Sequence, residues 1–521
     1  MAEPTAGPAS HRRHPARRKR RAVLGAVLGV LLLGAWAGVG MAGDTNGGQE
    51  TPGGTSVAPP RATDALPFDL PPAAELRDSA HLVFAHYFTP YPLSLDNQPA
   101  QSDYYSRNYL TVRGENGKHA AYGGLLRDRP LPVAEQQGDW QLANLEQEVR
   151  TARDAGIDGF SVDILSLSGP NWDRVNLLLK AAHEVDPAFR IMLMPDMTSL
   201  HTDPATLAEA LAKLAAQPAA HRLADGRLVV SPFKAEAVDP AWWSQMMARL
   251  DGQHGIRTAL VPLFLNFGAN AERYASISYG FSEWGNRSYT AQEGASAHTA
   301  LAHRLGKVWM QPVSVQDARP NQGVYDEAGN TANLRTTWGH AIDDGADWVQ
   351  LTTWNDYSEG SQFAPSLHNG YAYLDISSYY LTRFKTGKWP QLVRDRLYVT
   401  SRVQFAAAVP SAGAGQRLMR PRAGTAQPRD EVEVLSFLPA PATVDTAVGT
   451  DHKSFDLPAG VTATLLPLRT GHSSAAVVRD GRKSTEVTTR YPVGPPAQSQ
   501  DLQYYAVTSG DLAAARLPGT D

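Results

Sequence analysis

Two carboxylates stand three positions apart in the run Thr352-Thr353-Trp354-Asn355-Asp356-Tyr357-Ser358-Glu359-Gly360. Acid pairs at that spacing are common on solvated helix faces, where they do nothing. Asp356 and Glu359 have a different setting. They follow the apolar segment Val349–Leu351 and are bracketed by Trp354 and Tyr357, aromatic side chains able to stack on a sugar ring or keep water out. Cleaving a glycosidic bond takes that inventory: one carboxylic acid protonates the departing oxygen, and a second carboxylate activates water or attacks the sugar. Other hydrolytic chemistries lack their residues. There is no Gly-x-Ser-x-Gly elbow. There is no cysteine for a thiol nucleophile and no His-Glu-x-x-His or comparable ligand set, so neither a metal nor another cofactor is expected.

Such a pair needs a scaffold. From Leu82 to Trp354 the chain alternates short apolar runs with amphipathic ones. Eight runs read as strands: 82–88, 159–165, 190–197, 227–233, 258–267, 274–281, 307–315 and 348–354. Helical patterns lie between them at 140–155, 173–185, 204–216, 240–250, 290–305 and 332–343. Strands alternating with helices imply a parallel sheet, and eight such units close into a (β/α)8 TIM barrel over residues 67–390. An open doubly wound sheet is the alternative, but no Gly-rich phosphate loop follows the first strand. Beyond Pro390 short strands recur without helices, at 397–405, 431–437, 443–448, 461–466, 474–478, 484–490 and 503–507, and Asp480-Gly481 is a hairpin signal. Residues 391–521 are therefore expected to form a C-terminal β-sandwich. It would bind carbohydrate or buttress the barrel. The buttress is preferred, because no cluster of exposed aromatics stands out.

In such a barrel, chemistry sits where strands end and their loops begin. That rule selects His86, Tyr87 and Tyr91 after strand one, Asp163 after strand two and Asp196 after strand three. Lys234 and Glu236 follow strand four, Asn266 strand five, and Glu283 and Trp284 strand six; Gln311 and Asp317 lie at or beyond strand seven. Asn355, Asp356 and Glu359 follow strand eight. His86, Tyr87, Asp163, Asp196, Trp284, Trp354, Asn355 and Tyr357 form the expected substrate-binding set. His86 would bind a sugar hydroxyl or orient a carboxylate, with a strand-end cap as the plain reading. Asp196 has a loop cap as its plain reading, Trp284 and Trp338 have core packing, and Lys234 with Glu236 a mutual surface pair.

Four segments, Val83–Tyr87, Ala155–Phe160, Gln311–Ser314 and Leu351–Glu359, resemble the successive signatures of glycoside hydrolase family 71. Its members are inverting endo-α-1,3-glucanases. The resemblance spans roughly residues 80–510 and implies that Asp356 and Glu359 are the catalytic dyad, with Asp158 a third carboxylate. The family's motif has Gly where this chain has Ser358, and its fungal members usually have Ser where this chain has Gly360. After His86-Tyr87 the chain reads Phe-Thr-Pro-Tyr rather than Met-Val-Gly, Asp163 stands for an Asn, and Val315-Gln316 replaces Pro-Trp. These departures bear on the substrate more than on the reaction. The run Trp354–Ser361 is also similar to glycoside hydrolase family 99, the endo-α-mannanase and endo-α-mannosidase group, which is the runner-up. Glu359, with the longer reach, is the candidate general acid, its pKa raised by burial and a neighbouring carboxylate; Asp356 is then the base.

The 521 residues carry a formal charge of −4, but seven Lys or Arg against one Glu crowd residues 1–21, leaving the remainder near −10. A net-acidic body argues against nucleic acid as a partner; a polysaccharide is expected instead. The basic head runs into the apolar stretch 22–42, which reads as an export signal or a membrane anchor and places the rest of the chain outside the cytoplasm. Contact with a membrane is expected only through that stretch. Residues 43–66, rich in Gly, Thr, Pro and Ala, read as a flexible linker. The absence of cysteine leaves stability to core burial.

Overall fold

The computed structural model describes residues 64–510 apart from 293, 412–414 and 497. The basic head, the apolar stretch 22–42 and nearly all of the linker lie outside the described residues. No helix among the described residues is long and apolar enough to cross a membrane.

The first half alternates strands and helices. In chain order come β1 (Leu82–Tyr87), β2 (Gly159–Ile164), β3 (Arg190–Pro195), β4 (Leu228–Val230), β5 (Thr258–Leu260), β6 (Leu263–Phe264), β7 (Gly280–Glu283) and β8 (Val308–Val313). Two short strands follow, β9 (Asp317–Arg319) and β10 (Val324–Asp326), and then β11 (Trp348–Leu351). Apart from β9 and β10 they form one parallel sheet, ordered β5-β4-β3-β2-β1-β11-β8-β7-β6. Its two end strands are halves of one strand. Pro262, which has no N–H to donate, interrupts it between β5 and β6. β5 bonds β4 and β6 bonds β7. The Val261 N–H donates to Val230 O at 2.9 Å and the Ser282 N–H to Pro262 O at 3.0 Å, which closes the ring. The result is the eight-stranded (β/α)8 barrel.

Alternation along the strands sorts the side chains. Phe84, Met192, Val229, Val261, Met310 and Trp348 pack together inside the ring. Their neighbours Val83, Ala85, Val162, Ile191 and Leu193 join the larger core beneath the helices. Asp139, Asp203 and Asp239 accept hydrogen bonds from the first-turn N–H groups of the helices Trp140–Asp154, Pro204–Ala215 and Pro240–His254. The sixth strand differs from expectation. Phe267, Asn270, Ala271 and Tyr274 are spaced as one helix face and are buried in the helix Phe267–Tyr274, which Asn266 caps, so the strand begins only at Gly280.

The second half is antiparallel: β12 (Arg396–Ser401), β13 (Arg420–Pro421), β14 (Glu431–Leu438), β15 (Ala442–Val448), β16 (Asp451–Leu457), β17 (Gly460–Pro467), β18 (Ser473–Arg479), β19 (Arg482–Thr488) and β20 (Tyr505–Thr508). Two four-stranded sheets, β17-β14-β12-β20 and β16-β15-β18-β19, enclose Leu397, Val432, Val434, Val444 and Val477, in keeping with a β-sandwich. Asp480 and Gly481 both have positive φ at the β18–β19 hairpin. β16 has no counterpart in the sequence reading, because it is an exposed edge strand of mostly polar residues. The barrel core continues into this half through Tyr398, Leu435, Phe437 and Ala506. One segment reaches further: β13 pairs with β10, in a small sheet with β9 beside the end of the barrel.

Candidate active site

β11 ends at Leu351, and the chain turns back tightly. Asp356 N–H donates to Thr353 Oγ1 at 2.8 Å, Thr353 N–H to Ser361 O at 3.1 Å and Phe363 N–H to Thr353 O at 2.9 Å. Gly360 has φ +63°, and a Cβ there would collide with the Gln503 side chain, so the turn requires glycine. This loop holds Asp356 and Glu359 at the C-terminal mouth of the barrel, where a TIM barrel keeps its chemistry.

The two carboxylates have different partners. Asp356 Oδ1 accepts from Ser358 Oγ at 2.6 Å and from Ser358 N–H at 3.0 Å. Glu359 is held at both oxygens by Arg319, at 2.7 and 2.8 Å. Arg319 also bonds both oxygens of Asp317. Arg422, carried in beside β13, reaches Asp317 at 3.3 Å and Asp326 at 3.0 Å. Arg287 is buried, stacks over Trp284 with 4.8 Å to the ring centroid, and donates to the carbonyls of Trp284 and Gly285. Acid groups therefore crowd a few shared guanidiniums. Burial pushes Glu359 up to about 8; Arg319 opposes that, while Asp356 and Asp317 add to it. Burial also raises Asp356, against the Ser358 bonds and Arg319. Asp163 is driven well above the usual carboxylate range by burial and then by Asp196, Asp356 and Glu359.

His86 and Trp284 adjoin this group. His86 Nδ1 meets Met194 Sδ at 3.1 Å and Nε2 stands 3.7 Å from Asp163 Oδ2. Burial, helped by Arg287, lowers its pKa to about 3, so the imidazole is neutral. Trp284 lies edge-on to His86 at 5.1 Å and to Phe233 at 4.9 Å. His86, Asp163, Trp284, Asp356 and Glu359 are thus brought together.

Several expected residues sit elsewhere. Tyr87 and Trp354 point out of the barrel and donate to Glu148 of the helix Trp140–Asp154, at 2.8 and 3.4 Å; burial raises Glu148 to about 8. Asn355 clips the loop after β1: it accepts from Phe88 N–H and donates to the carbonyls of Phe88 and Tyr91. Tyr357 is buried in a cluster with Phe88, Tyr91, Tyr105, Leu126 and Leu165. These four pack around the loop that carries Asp356 and Glu359. The Asp196 carboxylate accepts from the Thr198 N–H and hydroxyl at 2.6 Å each and from Ser199 Oγ at 3.3 Å, which makes it a turn cap near Asp163. Asp158 precedes β2, at the opposite end of the barrel, where it bonds Lys385 Nζ and Val83 N–H, both at 2.7 Å. A strand's first residue lies a full strand length from the mouth, so Asp158 is not brought together with Asp356 and Glu359. Glu236 accepts from the Leu265 and Asn266 N–H groups rather than pairing with Lys234. Trp338 is core, its indole N–H donating to Ser377.

The sequence reading missed Arg287, Arg319 and Arg422. Asp317-Ala-Arg319 after strand seven carried a local signal, an acid and a base on one face of an extended segment. Arg287 and Arg422 carried none, since only folding brings them to the mouth. Among the described residues no group of three or more metal-capable side chains converges.

Glucan endo-1,3-alpha-glucosidase agn1 of Schizosaccharomyces pombe is 25% identical over 375 residues, covering 66% of this chain and 85% of its own. A mutanase of Penicillium rubens is 23% identical over 373 residues, covering 66% of this chain and 80% of its own. The solved GH99 endo-alpha-mannosidase of Bacteroides thetaiotaomicron aligns over 59% of this chain and 98% of its own, with 15% identity and a TM-score of 0.46. The glycosyl hydrolase family 71 model matches residues 133–508, from the helix before β2 through the Asp356–Glu359 loop to β20, and the chain is a glycoside hydrolase belonging to that family.

Proposed function

We propose that the chain hydrolyses α-1,3-linked glucan from within the polymer, with inversion, outside the cytoplasm. The observation that carries this reading is the contrast within one buried pair: two donors from Ser358 hold Asp356, while burial puts Glu359 at about 8. Glu359 then meets substrate protonated at neutral pH and gives its proton to the departing oxygen. Asp356 takes a proton from the water that bonds to the anomeric carbon from the opposite face. Arg319 stabilises the Glu359 carboxylate once its proton has left. Inversion requires the two carboxyl groups to stand about 6.5–9.5 Å apart, leaving room for that water.

Trp284 offers a ring for sugar stacking. Neutral His86 and Asp163 offer both donors and acceptors to hydroxyls, as a neutral polymer demands. The named activities of the family relatives support α-1,3-glucan as substrate. The basic head and apolar stretch 22–42 support export. Residues 67–390 are read as the catalytic unit and 391–521 as a second unit that walls its mouth. Incubating the protein with α-1,3-glucan, other α-glucans and α-mannan tests the reading. Internal cleavage of α-1,3-glucan with an inverted first product is expected. Cleavage of α-mannan alone would move the protein to the runner-up substrate, a retained anomer would exclude inversion, and binding without new reducing ends would exclude hydrolysis.

A further inference from the structure

We infer that Ser358 is a positioning residue for the Asp356 base: its hydroxyl and N–H together fix Oδ1, which leaves Oδ2 as the atom that receives the proton from water. The inference rests on the reading of Asp356 as base.

Both Ser358 bonds end on the same oxygen, at 2.6 Å from the hydroxyl and 3.0 Å from the N–H. The backbone around Asp356 is pinned independently by Thr353 and Ser361. The orientation of the carboxylate plane is therefore set by Ser358, and among the described residues no other donor bonds either carboxylate oxygen. The surroundings make this consequential. Asp356 is buried beside Asp317, Glu359 and Asp163, and the nearby guanidinium of Arg319 is already bonded to two other carboxylates. Burial and Asp317 raise the Asp356 carboxyl, while the Ser358 bonds and Arg319 oppose that.

The proton balance is simple. Water loses a proton to Oδ2 as its oxygen bonds to the anomeric carbon, and Ser358 keeps its own hydrogen throughout. A hydrogen bond to a charged group is worth about 1.5–3 kcal/mol, so removing the hydroxyl moves the Asp356 titration up by roughly one to two pH units.

The test uses the full chain with Ser358→Ala, Ser358→Thr and Asp356→Asn, and follows kcat/KM against pH on a soluble α-1,3-gluco-oligosaccharide. In Ser358→Ala the acidic limb moves up by about one unit or more, so activity on that limb falls about tenfold while the plateau is largely kept. Ser358→Thr, which retains the hydroxyl, restores the limb. A Ser358→Ala enzyme whose limb stays put, or which loses the same factor at every pH, overturns the role of Ser358 while leaving Asp356 as base. Turnover surviving in Asp356→Asn would instead remove the base itself.

Discussion

Asp158 and Lys385 offer a direct trial of the division between barrel mouth and barrel base. Lys385, whose side chain is fully buried in the helix Ala372–Thr386, donates to Asp158 Oδ2 at 2.7 Å and to His81 O at 2.9 Å. Replacing Lys385 with Met leaves the Asp158 carboxylate buried with only the Val83 N–H. Breaking a buried pair from one side costs about 3–5 kcal/mol. Burial pulls both groups toward neutrality here, raising Asp158 and lowering Lys385, so the lower end of that range applies. Unfolding entropy of about 2.1 cal/mol/K per residue over roughly 450 residues converts ~1 kcal/mol into ~1 °C. Lys385→Met should therefore lower Tm by about 3 °C, against under 1 °C for an ordinary surface change. Pairing it with Asp158→Asn should recover at least half. Calorimetry at a fixed scan rate reads the shift, and kcat/KM measured well below the transition should change less than twofold. An Asp158→Asn variant that kept its Tm and lost its activity would refute the reasoning and return Asp158 to the chemistry.

The pH dependence follows from Glu359. If the acid is protonated below about 8, kcat/KM falls as pH rises through that value; Arg319→Met should push the limb higher by removing the opposing cation, and a limb that did not move would separate Arg319 from the acid. Glu359→Gln and Asp356→Asn should each abolish turnover with the melting curve intact, whereas near-normal rates in either would sink its assignment. Trp284→Ala should raise KM on long chains about tenfold with kcat little changed, while Trp354→Ala, which empties a buried site, should instead cost about 3–5 kcal/mol of stability in denaturant melts. His86 and His221 are neutral in the fold, with burial lowering them to about 3 and about 4. The unfolded chain takes up their protons from about pH 6.5 downward, so their contribution to stability is lost as pH falls from there toward 4; Tm against pH for His221→Gln should be flatter over that window.

The barrel was legible because its signals are local. Apolar runs of strand length, helix-spaced faces and capping aspartates repeat along the chain, and the helix Ala332–Asp343 matches its sequence reading at both ends. The sixth strand was misplaced where a helix face and a strand read alike over a few residues, as at Phe267–Tyr274. Asp356 and Glu359 stood out because both lie on one short run after an apolar strand. Tyr87, Trp354, Asn355 and Tyr357 neighbour the mouth in sequence, but only folding set their partners: Glu148 for the first two, and the loop after β1 for the others.

By itself the sequence determined the alternating strands and helices, the antiparallel second half and the carboxylate pair, since each depends on spacing within a few residues. Only the tertiary structure decided the electrostatics of that pair. Arg287 from beyond β7, Arg319 from β9 and Arg422 from beside β13 meet at the mouth after closure of the ring and docking of the second half. How far burial raises a carboxylate, and which guanidinium opposes it, depends on distances across the fold, and those are not encoded in the order of residues along any one strand.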